Sequence, residues 1–115
     1  MTIEPRDIAK SYFESWQSRN FDSFRSLLAD DVTFVGPLGR ANNADECLEG
    51  IKGLSNIVTD IVIKNMWAEG ANVITWFELH TAITSEPLTI VNWSRIENNK
   101  IKEIRVTFDP RPLIG

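Results

Sequence analysis

Few side chains in this sequence could do chemistry, and they lie far apart. The one histidine, His80, stands two residues from Glu78 in the strand-like run VITWFELHTA, so both project from the same side of a strand. An imidazole that titrates near neutrality beside a carboxylate is general acid–base chemistry. The same pair reads equally as structural, because a carboxylate in an apolar strand needs a partner. Tyr12, the one tyrosine, is a candidate hydrogen-bond donor from a helix. Asp109 and Arg111, in the closing stretch FDPRP, could clamp a polar ligand group, or form a terminal ion pair or a capping contact. Asp30 and Asp31 read as a turn. Cys47 is flanked by Asp45, Glu46 and Glu49, the reverse of the electropositive surroundings that make a thiolate reactive. One histidine and one cysteine so far apart leave only scattered carboxylates, so neither a metal nor another cofactor is expected.

Composition narrows the classes further. With 115 residues, 43% of them apolar and 24% charged, the chain is long enough for one globular domain, 1–115, and too short for two. A net charge of −4 without any local Lys/Arg cluster disfavours nucleic acid, whose phosphates demand a basic surface. Apolar runs of only a few residues span no membrane. The start MTIEPRD lacks an apolar h-region, and a single cysteine forms no internal disulfide, so a cytoplasmic location is expected. Four tryptophans and six phenylalanines suit either a wide core or a pocket wall.

The elements that must position these residues follow from spacing. Pro5 suits a helix start, and Ile8, Tyr12, Phe13 and Trp16 make one stripe that ends near Arg19-Asn20. Asn20 can cap a second helix whose stripe is Phe21, Phe24, Leu27 and Leu28. A short strand, Val32 to Val35, is stopped by Gly36-Pro37 and Gly39. Asn43 and Glu46 form a capping box for a third helix with Cys47 or Leu48, Ile51, Leu54, and Ile57 or Val58 on its apolar face. Gly50 and Gly53 weaken that helix by about 1 kcal/mol each relative to Ala. They either let a neighbour approach closely or are simply tolerated. A strand from Ile61 to Trp67 turns at Glu69 to Asn72. Three further runs between Val73 and Phe108, joined by TSEP and ENNK, make an antiparallel meander. The order is helix, helix, short strand, helix, four strands, an α+β pattern with helices packed on one face of the sheet.

Register decides which residues face those helices. A turn centred near Ser85 sets Phe77 across from Trp93, Leu79 from Val91 and Thr81 from Thr89, so that these six form the inner face. Ile74, Trp76, Glu78, His80, Ile90, Asn92 and Ser94 then form the outer face, with Glu78 and Asn92 as a cross-strand pair. Ile104, Val106 and Phe108 belong inside. A slip of one residue exchanges the faces. Trp76, Ile74, Ile90 and Ile96 among polar neighbours would make the outer face a dimer contact.

The stretches SYFESWQSRNFDSFRSLLADDVTFVGPLG, SRIENNKIKEI and FDPRP, in this order, resemble the nuclear transport factor 2-like superfamily, and within it the SnoaL-like group and the ketosteroid isomerases. The resemblance runs over essentially the whole chain. It implies a cone-shaped α+β roll: three N-terminal helices packed on a curved, mainly antiparallel sheet, closing an apolar cavity. It also implies a homodimer formed back-to-back through the outer sheet face. Tyr12 resembles the tyrosine that donates to the oxyanion in ketosteroid isomerases. Their base falls here at Gly36, ahead of Pro37 and Gly39, and their second donor at Thr89. A missing base removes a contribution of about 10²- to 10⁴-fold, which disfavours a steroid isomerase. The Asp/Arg/Asp set of the limonene-epoxide hydrolases and the acid of the SnoaL-like cyclases are not recognisable.

Two readings follow. In the first, the domain binds a small hydrophobic molecule among Tyr12, Trp16, Phe77, Leu79, Thr89, Val91, Trp93 and Phe108, with Tyr12 or Thr89 orienting it. In the second, it is a cofactor-independent isomerase, cyclase or hydrolase acting on a hydrophobic metabolite, with Glu78, His80 or Asp109 turned into the cavity beside Tyr12. A purely structural or protein-binding role would instead require a closed cavity and a large exposed apolar patch outside any dimer contact.

Overall fold

A computed structural model describes residues 3–114. The first two residues of the MTIEPRD start lie outside it. Helix α1 spans Pro5–Gln17, with Pro5 in its first turn, where a missing N–H costs no hydrogen bond. Its stripe of Ile8, Tyr12, Phe13 and Trp16 is buried. The chain reverses at Arg19, which adopts the left-handed conformation at φ 58°. The Arg19 guanidinium donates to the carbonyls of Ser55 and Val58 at 2.8 and 3.1 Å, tying this corner to the end of the third helix. Helix α2, Phe21–Ser26, is capped by Asn20, whose side chain accepts from the Ser23 amide. Leu28, expected in that helix, instead opens strand β1, Leu28–Gly36. β1 is longer than the short run expected because a strand borders it on each side.

Gly36 and Gly39 close a hairpin into β2, Gly39–Ala41. Helix α3, Ala44–Ser55, begins at the expected capping box. Asn43 accepts from the Glu46 amide at 2.9 Å, and Glu46 reaches back to the Asn42 amide at 2.7 Å. The remaining strands are β3 (Val58–Glu69), β4 (Asn72–Thr81), β5 (Leu88–Glu97) and β6 (Lys100–Thr107), before a short α4, Arg111–Ile114.

Among the described residues these strands form one six-stranded sheet in the order β2-β1-β6-β5-β4-β3. All its pairs are antiparallel except β1 with β6. The helices pack on its concave face, an α+β roll as expected. The β5–β6 hairpin turns at Asn98 and Asn99, both left-handed at φ 53° and 63°. Asparagine tolerates that conformation better than most residues. No described helix is long and apolar enough to cross a membrane.

One expectation is overturned. Phe77 pairs with Ile90, Leu79 with Leu88, and Thr75 with Asn92, a register three residues away from the expected one. The connection runs from Ala82 to Pro87 and closes on itself through the 2.7 Å hydroxyl contact of Thr81 with Thr84. Its centre therefore lies ahead of Ser85. An odd shift leaves the faces of β4 as expected and reverses those of β5. Leu88, Ile90, Asn92, Ser94 and Ile96 are buried inside, while Thr89, Val91 and Trp93 face outward. Glu78 consequently pairs with Thr89 and not with Asn92.

Candidate functional site

The concave side holds a cavity of about 320 Å³. Tyr12, Trp16 and Phe77 line its aromatic end. Phe24 and Phe13 pack behind them: the Tyr12 and Phe24 ring centroids lie 4.8 Å apart, Phe13 and Phe77 4.9 Å, and Trp16 and Phe77 6.1 Å. Trp16 is held in place by its indole N–H, which donates to Ser55 Oγ at 3.2 Å. Leu79 and Ile90 continue the wall along the sheet, and Cys47, Ile51 and Leu54 form it along α3. Leu38, Phe108 and Leu113 line it too, and the charged residues of the lining are Arg40 and Glu46. Of the expected pocket residues, Tyr12, Trp16, Phe77, Leu79 and Phe108 line this space. Thr89, Val91 and Trp93 do not, for the reason of register. Trp93 instead donates to Asn72 Oδ1 at 3.0 Å on the outer face.

Two polar side chains meet at the buried end. Tyr12 is 1% exposed and Asn92 2% exposed, and both line the cavity. Ser94 Oγ donates to Asn92 Oδ1 at 2.9 Å, which fixes the amide and leaves its NH₂ end to face the Tyr12 hydroxyl. Burial, with the Cys47 thiol nearby, holds the Tyr12 pKa well above the usual tyrosine range, and the Asn92 amide pulls it partly back. Tyr12 is therefore a neutral donor under ordinary conditions. Burial also pushes the Cys47 thiol up to about 12, so it is an unreactive wall residue, as expected.

The groups expected to supply acid–base chemistry lie elsewhere. Glu78 and His80 share the outer face, with Glu78 Oε1 and His80 Nε2 3.8 Å apart. Asp109 caps the final turn, accepting from the Arg111 amide at 3.0 Å and pairing with its guanidinium at 2.6 Å. Asp30 and Asp31 lie within β1, where they pair with Arg25 and Lys102. Gly36 does line the cavity, but a Cβ there would come within 3.2 Å of the Phe34 ring. The carboxylate that does line the cavity is Glu46, exposed, with one oxygen engaged by the Asn42 amide. No group of three or more His, Cys, Asp or Glu among the described residues is placed to hold a metal.

Sequence reading missed Asn92 and Ser94. The signal was present. The i, i+2 series Thr89, Val91, Trp93 ends in Arg95 and Glu97, charges that belong in water. The alternate series Leu88, Ile90, Asn92, Ser94 ends in Ile96.

A family model for the SnoaL-like domain matches residues 9–104. The chain belongs to the SnoaL-like domain family. It thus sits in the nuclear transport factor 2-like superfamily, as its resemblance implied. Comparison with curated protein sequences finds no match. Among solved structures, this SnoaL-like domain is similar to a nuclear transport factor 2-like protein of unknown function from Cytophaga hutchinsonii. The TM-score is 0.87 and the identity 22%, covering 100% of this chain and 98% of the other. It is similar to an LEH-like epoxide hydrolase from M. tuberculosis at TM-score 0.80 and 17% identity, covering 96% and 86%. It is also similar, at TM-score 0.84 and 18% identity, to a de novo designed protein with a curved β-sheet, covering 96% and 90%. At such identities the likeness concerns the fold, and function must be argued from the site.

Proposed function

We propose that this SnoaL-like domain binds a small apolar molecule bearing one hydrogen-bond acceptor, such as a ketone. The observation that carries this is the Tyr12–Asn92 pair, two buried neutral polar side chains in a mainly apolar cavity whose charged lining residues, Arg40 and Glu46, are exposed. Apolar walls supply the binding free energy, and a few placed polar groups orient the ligand. A carboxylate is a poor candidate for that end, because its neighbours there, Tyr12 and Asn92, are neutral and a buried unpaired charge is costly, and the cation of the lining, Arg40, is exposed. Thermal-shift titration with a polycyclic ketone and its parent hydrocarbon tests the reading. The ketone should stabilise the wild type more than the hydrocarbon does, and Tyr12→Phe should weaken the ketone by about two- to tenfold, the worth of one hydrogen bond. If neither compound raises the melting temperature, the proposal fails.

A second reading, a cofactor-independent isomerase, cyclase or hydrolase, draws support from one feature. A pair of preorganised donors also suits a developing oxyanion, and Glu46 offers a carboxylate in the cavity lining. Turnover of a ketone or ester that is abolished by Glu46→Gln would favour it. Glu78, His80 and Asp109 have no part in it.

We also propose a homodimer through the outer sheet face. It is supported by the exposure there of Trp67 (50%), Ile74 (42%), Trp76 (39%) and Val91 (38%), apolar side chains that a partner surface would take out of water. Mass measured by light scattering should fall by half in Trp76→Lys.

A further inference from the structure

Gly50 lies in the interior of α3, where a glycine weakens a helix by about 1 kcal/mol relative to alanine. Two reasons commonly keep a glycine at such a place. One is a left-handed backbone, but Gly70 is the described glycine with positive φ, and Gly50 is not. The other is a neighbour too close for a side chain, yet a Cβ at Gly50 would meet nothing within 4 Å. What Gly50 does border is the cavity. Glu46 and Leu54, one turn before and one turn after it, border the cavity too. The three form a single column on the helix surface, and the middle member has no side chain.

Gly53 provides the contrast. It lies on the same helix, also without positive φ and with nothing within 4 Å of its Cβ position, but it does not line the cavity. Openness around a glycine of this helix is therefore not peculiar to the cavity wall. The effect of filling it should be.

We propose that Gly50 is a specificity-determining residue. It leaves a notch in the α3 wall through which the apolar end of a bound ligand extends, so that the site accepts molecules longer than the cavity itself holds. The cavity, about 320 Å³, is at the lower end of the range of about 300–1,000 Å³ for ligand sites. A ligand anchored by its carbonyl oxygen on Tyr12 and Asn92 would place its far end against this wall. The notch deepens the ketone-binding reading and rests on it.

The test is a homologous series of methyl ketones, from heptanone to pentadecanone, titrated by calorimetry into the wild type, Gly50→Leu, Gly50→Ala and Gly53→Leu. In the wild type, affinity should rise about fourfold for each methylene buried, up to the longest members. In Gly50→Leu the rise should stop part-way, leaving the longest ketones at least tenfold weaker than in the wild type while the shortest bind as before. Gly50→Ala should be intermediate and should melt higher than the wild type, and it serves if Gly50→Leu does not fold. Gly53→Leu should follow the wild-type series. Parallel series for Gly50→Leu and the wild type, or equal truncation in Gly53→Leu, would overturn the notch while leaving the ketone site standing. Absence of ketone binding by the wild type would overturn both.

Discussion

The two faces of the β4–β5 pair are built from similar side chains and hold their polar groups in opposite ways. Inside, Phe77, Leu79 and Ile90 surround Asn92 and Ser94, which are neutral, buried and bonded to each other. Outside, Ile74, Trp76, Val91 and Trp93 surround Glu78, His80 and Arg95, which carry or can carry charge and remain partly in water. Aromatic content therefore does not separate a pocket wall from a docking face in this sheet. The ionisation of the polar residues does, because a charge needs water or an opposite charge, and an amide needs only hydrogen-bond partners.

The largest effect should come from truncating the same kind of side chain on each face. Phe77 is 2% exposed and packs on Phe13 and Trp16. Phe77→Ala should therefore destabilise by about 3–5 kcal/mol, the usual loss for a buried phenylalanine. Trp76→Ala, one residue along and on the outer face, should lose about 1 kcal/mol or less at low protein concentration. Urea unfolding of both variants measures the difference. Equal losses would mean that the two faces are not distinguished by burial.

Alkaline pH probes the interior alone. Burial raises the pKa of both Tyr12 and Cys47 in the folded state. Each group's contribution is then fully present below its unfolded pKa, about 10 for tyrosine and 8.5 for cysteine. It is lost as pH rises toward the folded value, which for Cys47 is about 12. Stability should fall from about pH 8.5 upward, by up to about 1.4 kcal/mol per pH unit for each group that ionises only on unfolding. Tyr12 is the one tyrosine in the chain, so phenolate absorbance near 295 nm reports it alone. That absorbance should appear together with unfolding and not before. Cys47→Ala should remove the part of the decline below about pH 10. At the acid end the sign reverses. Lys102 and Arg111 lower the pKa values of Asp31 and Asp109, whose small, water-screened contributions are present above about pH 3.9 and lost as pH falls.

How much of this was legible in the sequence depends on which residues carried their own local signal. Helix stripes did. Ile8, Tyr12, Phe13 and Trp16 recur at helical spacing, and all four are buried. The caps at Asn20 and Asn43 were readable because each is decided within three residues. The Asn98-Asn99 turn was readable for the same reason. The faces of β5 were not, because a strand's face depends on its partner's register. That register is set by a six-residue connection, Ala82 to Pro87, closed by a side-chain contact that no turn rule anticipates. Both polar donors at the cavity's buried end were thus within reach of the sequence, but only Tyr12 sits on an element whose facing is fixed locally.

The smallest expected change tests that register most directly. Thr89 faces outward, across from Glu78, so Thr89→Leu should alter stability by no more than about 0.5 kcal/mol and leave ketone binding unchanged. Asn92→Leu, on the other face, removes the acceptor of the Ser94 hydroxyl. Leaving a buried hydroxyl without a partner costs about 1–3 kcal/mol, and the ketone loses a donor besides. The two substitutions lie three residues apart on one strand, so a register shifted by three would interchange their effects. Loss of ketone binding in Thr89→Leu with Asn92→Leu silent would return Thr89, Val91 and Trp93 to the cavity. The opposite pattern keeps the pocket's polar end on the strand position where a neutral amide, its oxygen engaged by Ser94, meets Tyr12.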